Sequence, residues 1–121
     1  MDLAQLYEQC APNVAPQTLA AIVRVESGGN PWRIGINGDY VLPRQPVNQA
    51  EAISKANWLI NMGYKIDMGL MQVNIKNLNA LKLNVEQVFD PCTNIKAGAQ
   101  ILQNFYLKSA KDIGQGQHAL R

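Results

Sequence analysis

The sequence predicts an α+β fold that is mainly helical, with one small β-hairpin. Apolar residues recur at helical spacing over most of the chain. Asn37-Gly38 stands between two short β-prone runs, the strongest local hairpin signal there is. Gly and Pro punctuate the changes of pattern. At 121 residues and 47% apolar composition the chain makes one domain, 1–121, with enough apolar side chains for a core.

Asp2 caps an expected helix over Leu3 to Cys10, and Pro12 to Pro16 breaks it. Pro16 suits the first turn of a second helix, which Gly28-Gly29 ends near Ser27. Arg33 to Ile36 and Asp39 to Leu42 form the two hairpin strands, with Pro43 and Pro46 closing the second. A third helix spans Asn48 to about Met62, its apolar side made by Ala52, Ile53, Ala56, Leu59 and Ile60. Residues 64–74 read as a turn into a short helix, followed by a further segment around Ile75 to Leu81. Asn84 caps a single turn up to Phe89, and Asp90-Pro91 opens the longest helix. Ile95, Ala99, Leu102 and Phe105 or Tyr106 mark that helix's core face. Gly114 and Gly116 are expected to interrupt it, with a last helix starting at Gln117.

Charge and length exclude several functions. The eleven Lys and Arg are scattered and the net charge is only +2, which argues against nucleic acid as a partner. No apolar run approaches the ~20 residues a membrane span needs. Counting gives 12 Asn and 11 Gln against 20 charged residues, so much of the polar surface is neutral and suits a glycan. The lone histidine, His118, lies far from both cysteines, so neither a Cys–His nucleophile nor a zinc signature is present. The glycines match no phosphate-binding fingerprint, and no metal or cofactor is indicated.

Glu26 attracts chemical interest. It follows Leu19 by seven residues, Ile22 by four and Val23 by three, so it continues an apolar stripe at the end of the second helix. Desolvation there, and the negative end of the helix dipole, are expected to raise its pKa, which suits a general acid. The plain alternative is a glutamate at the rim of the core, reaching solvent or a lysine. Among the other acids, Asp39 and Asp67 are the two able to approach a cleft.

Glu26-Ser27-Gly28-Gly29-Asn30-Pro31, followed by Gly69-Leu70-Met71-Gln72-Val73-Asn74, resembles the lytic transglycosylases of the lysozyme-like superfamily. Cys10-Ala11-Pro12, Val14-Ala15-Pro16, Leu19 to Ile22 and Phe89 to Ile95 resemble the small specialised transglycosylases of type IV secretion and conjugation systems. The resemblance implies a lysozyme-like fold and cleavage of the bond between N-acetylmuramic acid and N-acetylglucosamine in peptidoglycan. Glu26 would act first as acid and then as base, giving a 1,6-anhydro product. It also implies that Ser27 bonds near Glu26 and that Gln72 and, more weakly, Asn74 contact substrate. Met71 lines the cleft or simply fills the core. Asp67 orients the loop or serves as a second carboxylate. Tyr64, with Tyr40, Trp32 and Trp58, is a candidate sugar-stacking platform or ordinary core.

The resemblance further implies periplasmic location with the signal peptide removed, glycan strands as partner, and components of a type IV secretion system as further partners. In that oxidising compartment Cys10 and Cys92 are expected to pair, the alternative being two buried thiols. The family's later Tyr-Asn motif is not found before Ala119-Leu120-Arg121, so the domain is expected to be truncated at that end. The competing expectations are a weakly active or inactive glycan-binding assembly factor, a true hydrolytic lysozyme, and a helical interaction module.

Overall fold

Local caps start the helices where the sequence places them. Asp2 accepts the Gln5 N–H at 3.4 Å at the head of α1, Leu3–Cys10. Pro16 opens α2, Pro16–Glu26, without a side-chain cap. Asn48 accepts the Glu51 N–H at 2.8 Å ahead of α3, Gln49–Asn61. After a 3-10 turn at Ile75–Asn77 come α4, Leu78–Leu81, and α5, Val85–Val88. Asn84 and Gln87 cap α5 reciprocally, satisfying two otherwise orphaned N–H groups. Asp90 accepts from the Thr93 N–H at 3.0 Å at the entry to α6, Pro91–Ala119. The computed structural model describes the backbone of residues 2–119 and the side chains of residues 2–109.

The sheet departs from expectation. Strands β1, Ile34–Asn37, β2, Lys65–Met68, and β3, Val73–Asn74, form an antiparallel sheet in the order β1-β2-β3. Ile34 pairs with Met68 and Ile36 with Ile66, while Asp67 pairs with Asn74 across the other edge. The expected hairpin through Asn37-Gly38 is therefore wrong: residues 39–42 form no strand. Residues 64–74 form a β-hairpin rather than a turn into a helix. Two features explain the exchange. Lys65–Met68 alternates exposed and buried positions, with Ile66 and Met68 fully buried, so it gains more on pairing than a strand ending at Pro43. The Gln45 side chain occupies the other edge of β1, accepting from the Ile34 N–H at 2.8 Å and donating to its carbonyl at 3.1 Å. One amide thus does there what a neighbouring strand would do.

Two apolar clusters make the core. One joins the sheet to α3 and α5 through Ile34, Leu59, Ile66, Met68 and Phe89. The other joins α1, α2 and α6 through Tyr7, Leu19, Val23, Leu70, Met71 and Ile95. Helix α6 serves both, giving Ala97 and Ile101 to the first and Ile95 and Ala99 to the second. Its expected core face fades outward: Leu102 is half-buried, and Phe105 and Tyr106 are 64% and 62% exposed. Gly114 and Gly116 do not interrupt α6, nor does a new helix begin at Gln117. Glycine costs about 1 kcal/mol inside a helix but does not forbid it. The expectation about the chain's end falls partly on residues 120–121, outside the described residues.

Cys10 and Cys92 are joined by a disulfide with a Cα–Cα distance of 5.4 Å, tying the end of α1 to the start of α6. Among the described residues no helix is long and apolar enough to cross a membrane.

Candidate active site

The turn between β2 and β3 is where the two clusters meet, and three separate elements fasten it. Just before β1, the Arg33 carbonyl accepts the Gly69 N–H at 2.9 Å. At the end of α2, the Ser27 hydroxyl donates to the Leu70 carbonyl at 2.7 Å. From α6, the Asn94 carbonyl oxygen accepts the Met71 N–H at 2.8 Å, while its amide nitrogen donates to the carbonyls of Met68 and Val88, both at 2.9 Å. Asn94 is 1% exposed, so all three bonds are made away from water, where an unmade one costs most. Gly69 has φ +78°, and a Cβ there would overlap the Asn94 amide, so the approach needs glycine.

Gln72 holds the turn from the other side. Its backbone is left-handed at φ +51°, an unfavourable conformation for a residue with a Cβ. Its side chain compensates, donating to the carbonyls of Gly69 at 2.9 Å and Arg33 at 3.0 Å. A Cβ on Gly35 would come within 2.7 Å of the Gln72 Oε1, so the bare backbone of β1 gives that amide its room.

Beside the turn lies an open cavity of about 280 Å³. Ile22, Val73, Leu102 and Phe105 supply apolar wall, and Gln72, Asn74 and Asn77 supply amides. Asn74 also donates to the Asp67 carboxylate at 2.7 Å, so these two expected residues are brought together. Met71, 8% exposed, touches both the cavity and the bare backbone of Gly98, so lining and core filling coincide.

Glu26 ends α2 one turn beyond Ile22, a spacing that sets Cβ atoms about 5–6 Å apart, and is not itself among the residues of the cavity wall. The expectation that it sits on the oily stripe needs correction, because Glu26 is exposed. Leu19 and Val23 are 0% and 2% exposed, and Ser27, at 5%, continues their line. At about 100° per residue, Ser27 falls some 40° from Val23 and Glu26 some 60° away on the half-buried Ile22 side. Ser27 is likewise not a surface contact: its buried hydroxyl, engaged with Leu70, also accepts the Gly29 N–H at 3.2 Å.

The remaining candidates lie elsewhere. Tyr64 packs against Tyr40 at 5.4 Å between ring centroids, and Tyr40 against Trp58 at 6.3 Å, on the sheet-and-α3 cluster. Tyr64 lines a different depression, with Ile60 and Ile75, and is not brought to the cavity of Gln72 and Asn74. Trp32 packs on the same cluster, and Asp39 is exposed on the loop after β1. Sequence reasoning gave no role to Asn94 or Gln45. Asn94 did carry a signal, since it stands in phase with Gly98 and Leu102 on the inward face of α6. Among the described residues no group of three or more His, Cys, Asp or Glu is arranged to hold a metal ion.

Sequence comparison finds relatives along most of the chain. The chain is 49% identical over 117 residues to the type IV secretion system protein virB1 of Brucella abortus, covering 96% of this chain and 49% of that protein. It is 38% identical over 100 residues to protein virB1 of Agrobacterium fabrum, covering 81% of this chain and 40% of that one. With protein virB1 of Rhizobium radiobacter the identity is 35% over 115 residues, covering 93% and 46%. The chain thus spans about half the length of the curated relatives it matches. No solved structure matches it. A family profile described as the transglycosylase SLT domain matches residues 4–115, and the chain belongs to that lysozyme-like family.

Proposed function

We propose that this chain is the catalytic domain of a peptidoglycan lytic transglycosylase, cleaving the β-1,4 bond between N-acetylmuramic acid and N-acetylglucosamine. The observation that carries the reading is an exposed glutamate ending α2, the helix whose Ile22 lines the amide-bearing cavity and whose following residue, Ser27, bonds to the pinned Gly69–Gln72 turn. Glu26 donates its proton to the glycosidic oxygen as that bond breaks. The resulting carboxylate then takes the proton of the muramic acid's own primary hydroxyl, whose oxygen closes onto the anomeric carbon as a 1,6-anhydro ring. The proton returns to Glu26 and no water is consumed. One carboxylate suffices, in contrast to the paired carboxyls of ordinary glycosidases. Asp67, tied to Asn74, acts as a positioning group rather than a nucleophile.

Because Glu26 is exposed, the exclusion of water around it falls to the glycan that fills the cleft. Gln72 and Asn74 are proposed to contact that glycan. Ser27 and Asn94 fix the spacing between the end of α2 and the turn. The disulfide favours an oxidising compartment, which for a wall-cleaving enzyme is the periplasm. The relatives carry the name of a type IV secretion component, and this chain is proposed to open the wall locally for such an apparatus. Digestion of purified sacculi tests the reading by product mass. Anhydro-ended muropeptides, lighter by one water than hydrolysis products, are expected. Reducing ends would make the protein a hydrolase, and binding without release would make it an assembly factor.

A further inference from the structure

The flank of α2 turned away from Ile22 and Glu26 borders a second hollow. It is a groove of about 560 Å³ between α1 and α2, within the usual range for small-ligand sites. Its walls are small or apolar, with Leu3, Ala20 and Ala21 on the sides and Gly28 at an open rim where an added Cβ would meet nothing within 4 Å. Three polar side chains interrupt them, those of Tyr7, Gln17 and Arg24. Tyr7 is only 4% exposed, yet its hydroxyl makes no hydrogen bond among the described residues. No fully buried polar side-chain atom among those residues lacks a partner, so this hydroxyl opens onto solvent, and the groove is a cavity that Tyr7 lines. Burial pushes the Tyr7 phenol above its ordinary pKa, which keeps it a neutral donor. Arg24, exposed at the rim, makes no ion pair among the described residues, and no carboxylate lines the groove.

A cation, a neutral O–H donor, the Gln17 amide and otherwise small or apolar walls define a ligand chemistry. We propose that this groove binds the carboxylate end of a short peptide with small apolar side chains, Arg24 pairing with the carboxylate and Tyr7 donating to a peptide oxygen. A nucleotide would want more positive charge and a stacking surface, and the groove offers neither. Glycan strands of cell walls carry short alanine-rich peptides ending in carboxylates. That link rests on the proposed function, whereas the peptide binding itself does not.

The test titrates the full chain, labelled for amide NMR, with N-acetyl-D-alanyl-D-alanine, its carboxamide and hexanoate. The acid dipeptide is expected to shift amides in Leu3–Tyr7 and Ala20–Gly29, with the carboxamide about tenfold weaker because a charge-assisted pair is lost. Arg24→Gln should bring the acid down to the carboxamide's level, and Tyr7→Phe should weaken it a few-fold. Ala20→Leu, a helix-compatible change at an exposed position, should block the groove at unchanged Tm. Equal binding of acid and carboxamide, tighter binding of hexanoate, or shifts centred on Gln72 and Asn74 would overturn the proposal. So would the absence of any shift at about 10 mM peptide, where even millimolar affinity saturates. Loss of sacculus digestion by the unmodified chain would instead strike the transglycosylase reading and leave the peptide titration standing.

Discussion

The two apolar clusters are fastened by different chemistry. Around α1 and α2, apolar helix faces meet and a covalent link spanning 82 residues closes the cluster at Cys10 and Cys92. Around the sheet, short strands are held by the backbone ladder and by side-chain amides, with Gln45 covering the outer edge of β1 and Asn94 gripping β2 and the turn beyond it. The first arrangement resists separation of its parts. The second fixes particular backbone atoms by directed hydrogen bonds, which a site needs when the turn must meet the end of α2.

Removing the covalent fastener should have the largest effect on stability. A Cys10→Ser, Cys92→Ser double variant is expected to lose about 4–5 kcal/mol on the chain-entropy account, read by urea denaturation with and without reductant. Reductant should destabilise the unmodified chain and leave the double variant untouched. Asn94→Ala should cost about 3 kcal/mol, since the Met71 N–H and the carbonyls of Met68 and Val88 all lose a buried partner. It should also loosen the turn, so activity is expected to fall further than that of the disulfide variant measured well below its Tm. If the disulfide variant loses more activity per kcal/mol than Asn94→Ala, the division of labour between the two clusters is wrong. Gln45→Ala is the mildest change, about 1 kcal/mol, with hydrogen exchange quickening at Ile34 ahead of Ile66.

The same division explains what could be read from the sequence. Helices α1, α2, α3 and α5 were legible because their caps and proline starts act within three or four residues. The strand pairing was not, because the choice between residues 39–42 and Lys65–Met68 turns on contacts some thirty residues apart and on one glutamine side chain. Gln72 and Asn74 of the second motif line one cavity, while helical phase alone misplaces Glu26, which is exposed. A stripe drawn through Leu19, Ile22 and Val23 admits both Glu26 and Ser27, and only tertiary packing against Leu70 decides that Ser27 goes inside. Helical phase puts Asn94 on the inward face of α6, but its worth lies in the backbone groups of Met68, Met71 and Val88, which that phase does not display.

The account turns on Glu26 being the group that moves the proton at the cleft beside the turn. Glu26→Gln keeps the shape and removes the acid at an exposed position, so its Tm should stay within a degree or two of the parent. Release of anhydro-muropeptides from sacculi should fall by about 10²-fold or more while glycan binding persists. Undiminished anhydro products from a folded Glu26→Gln chain would contradict the assignment and move the chemistry to another residue.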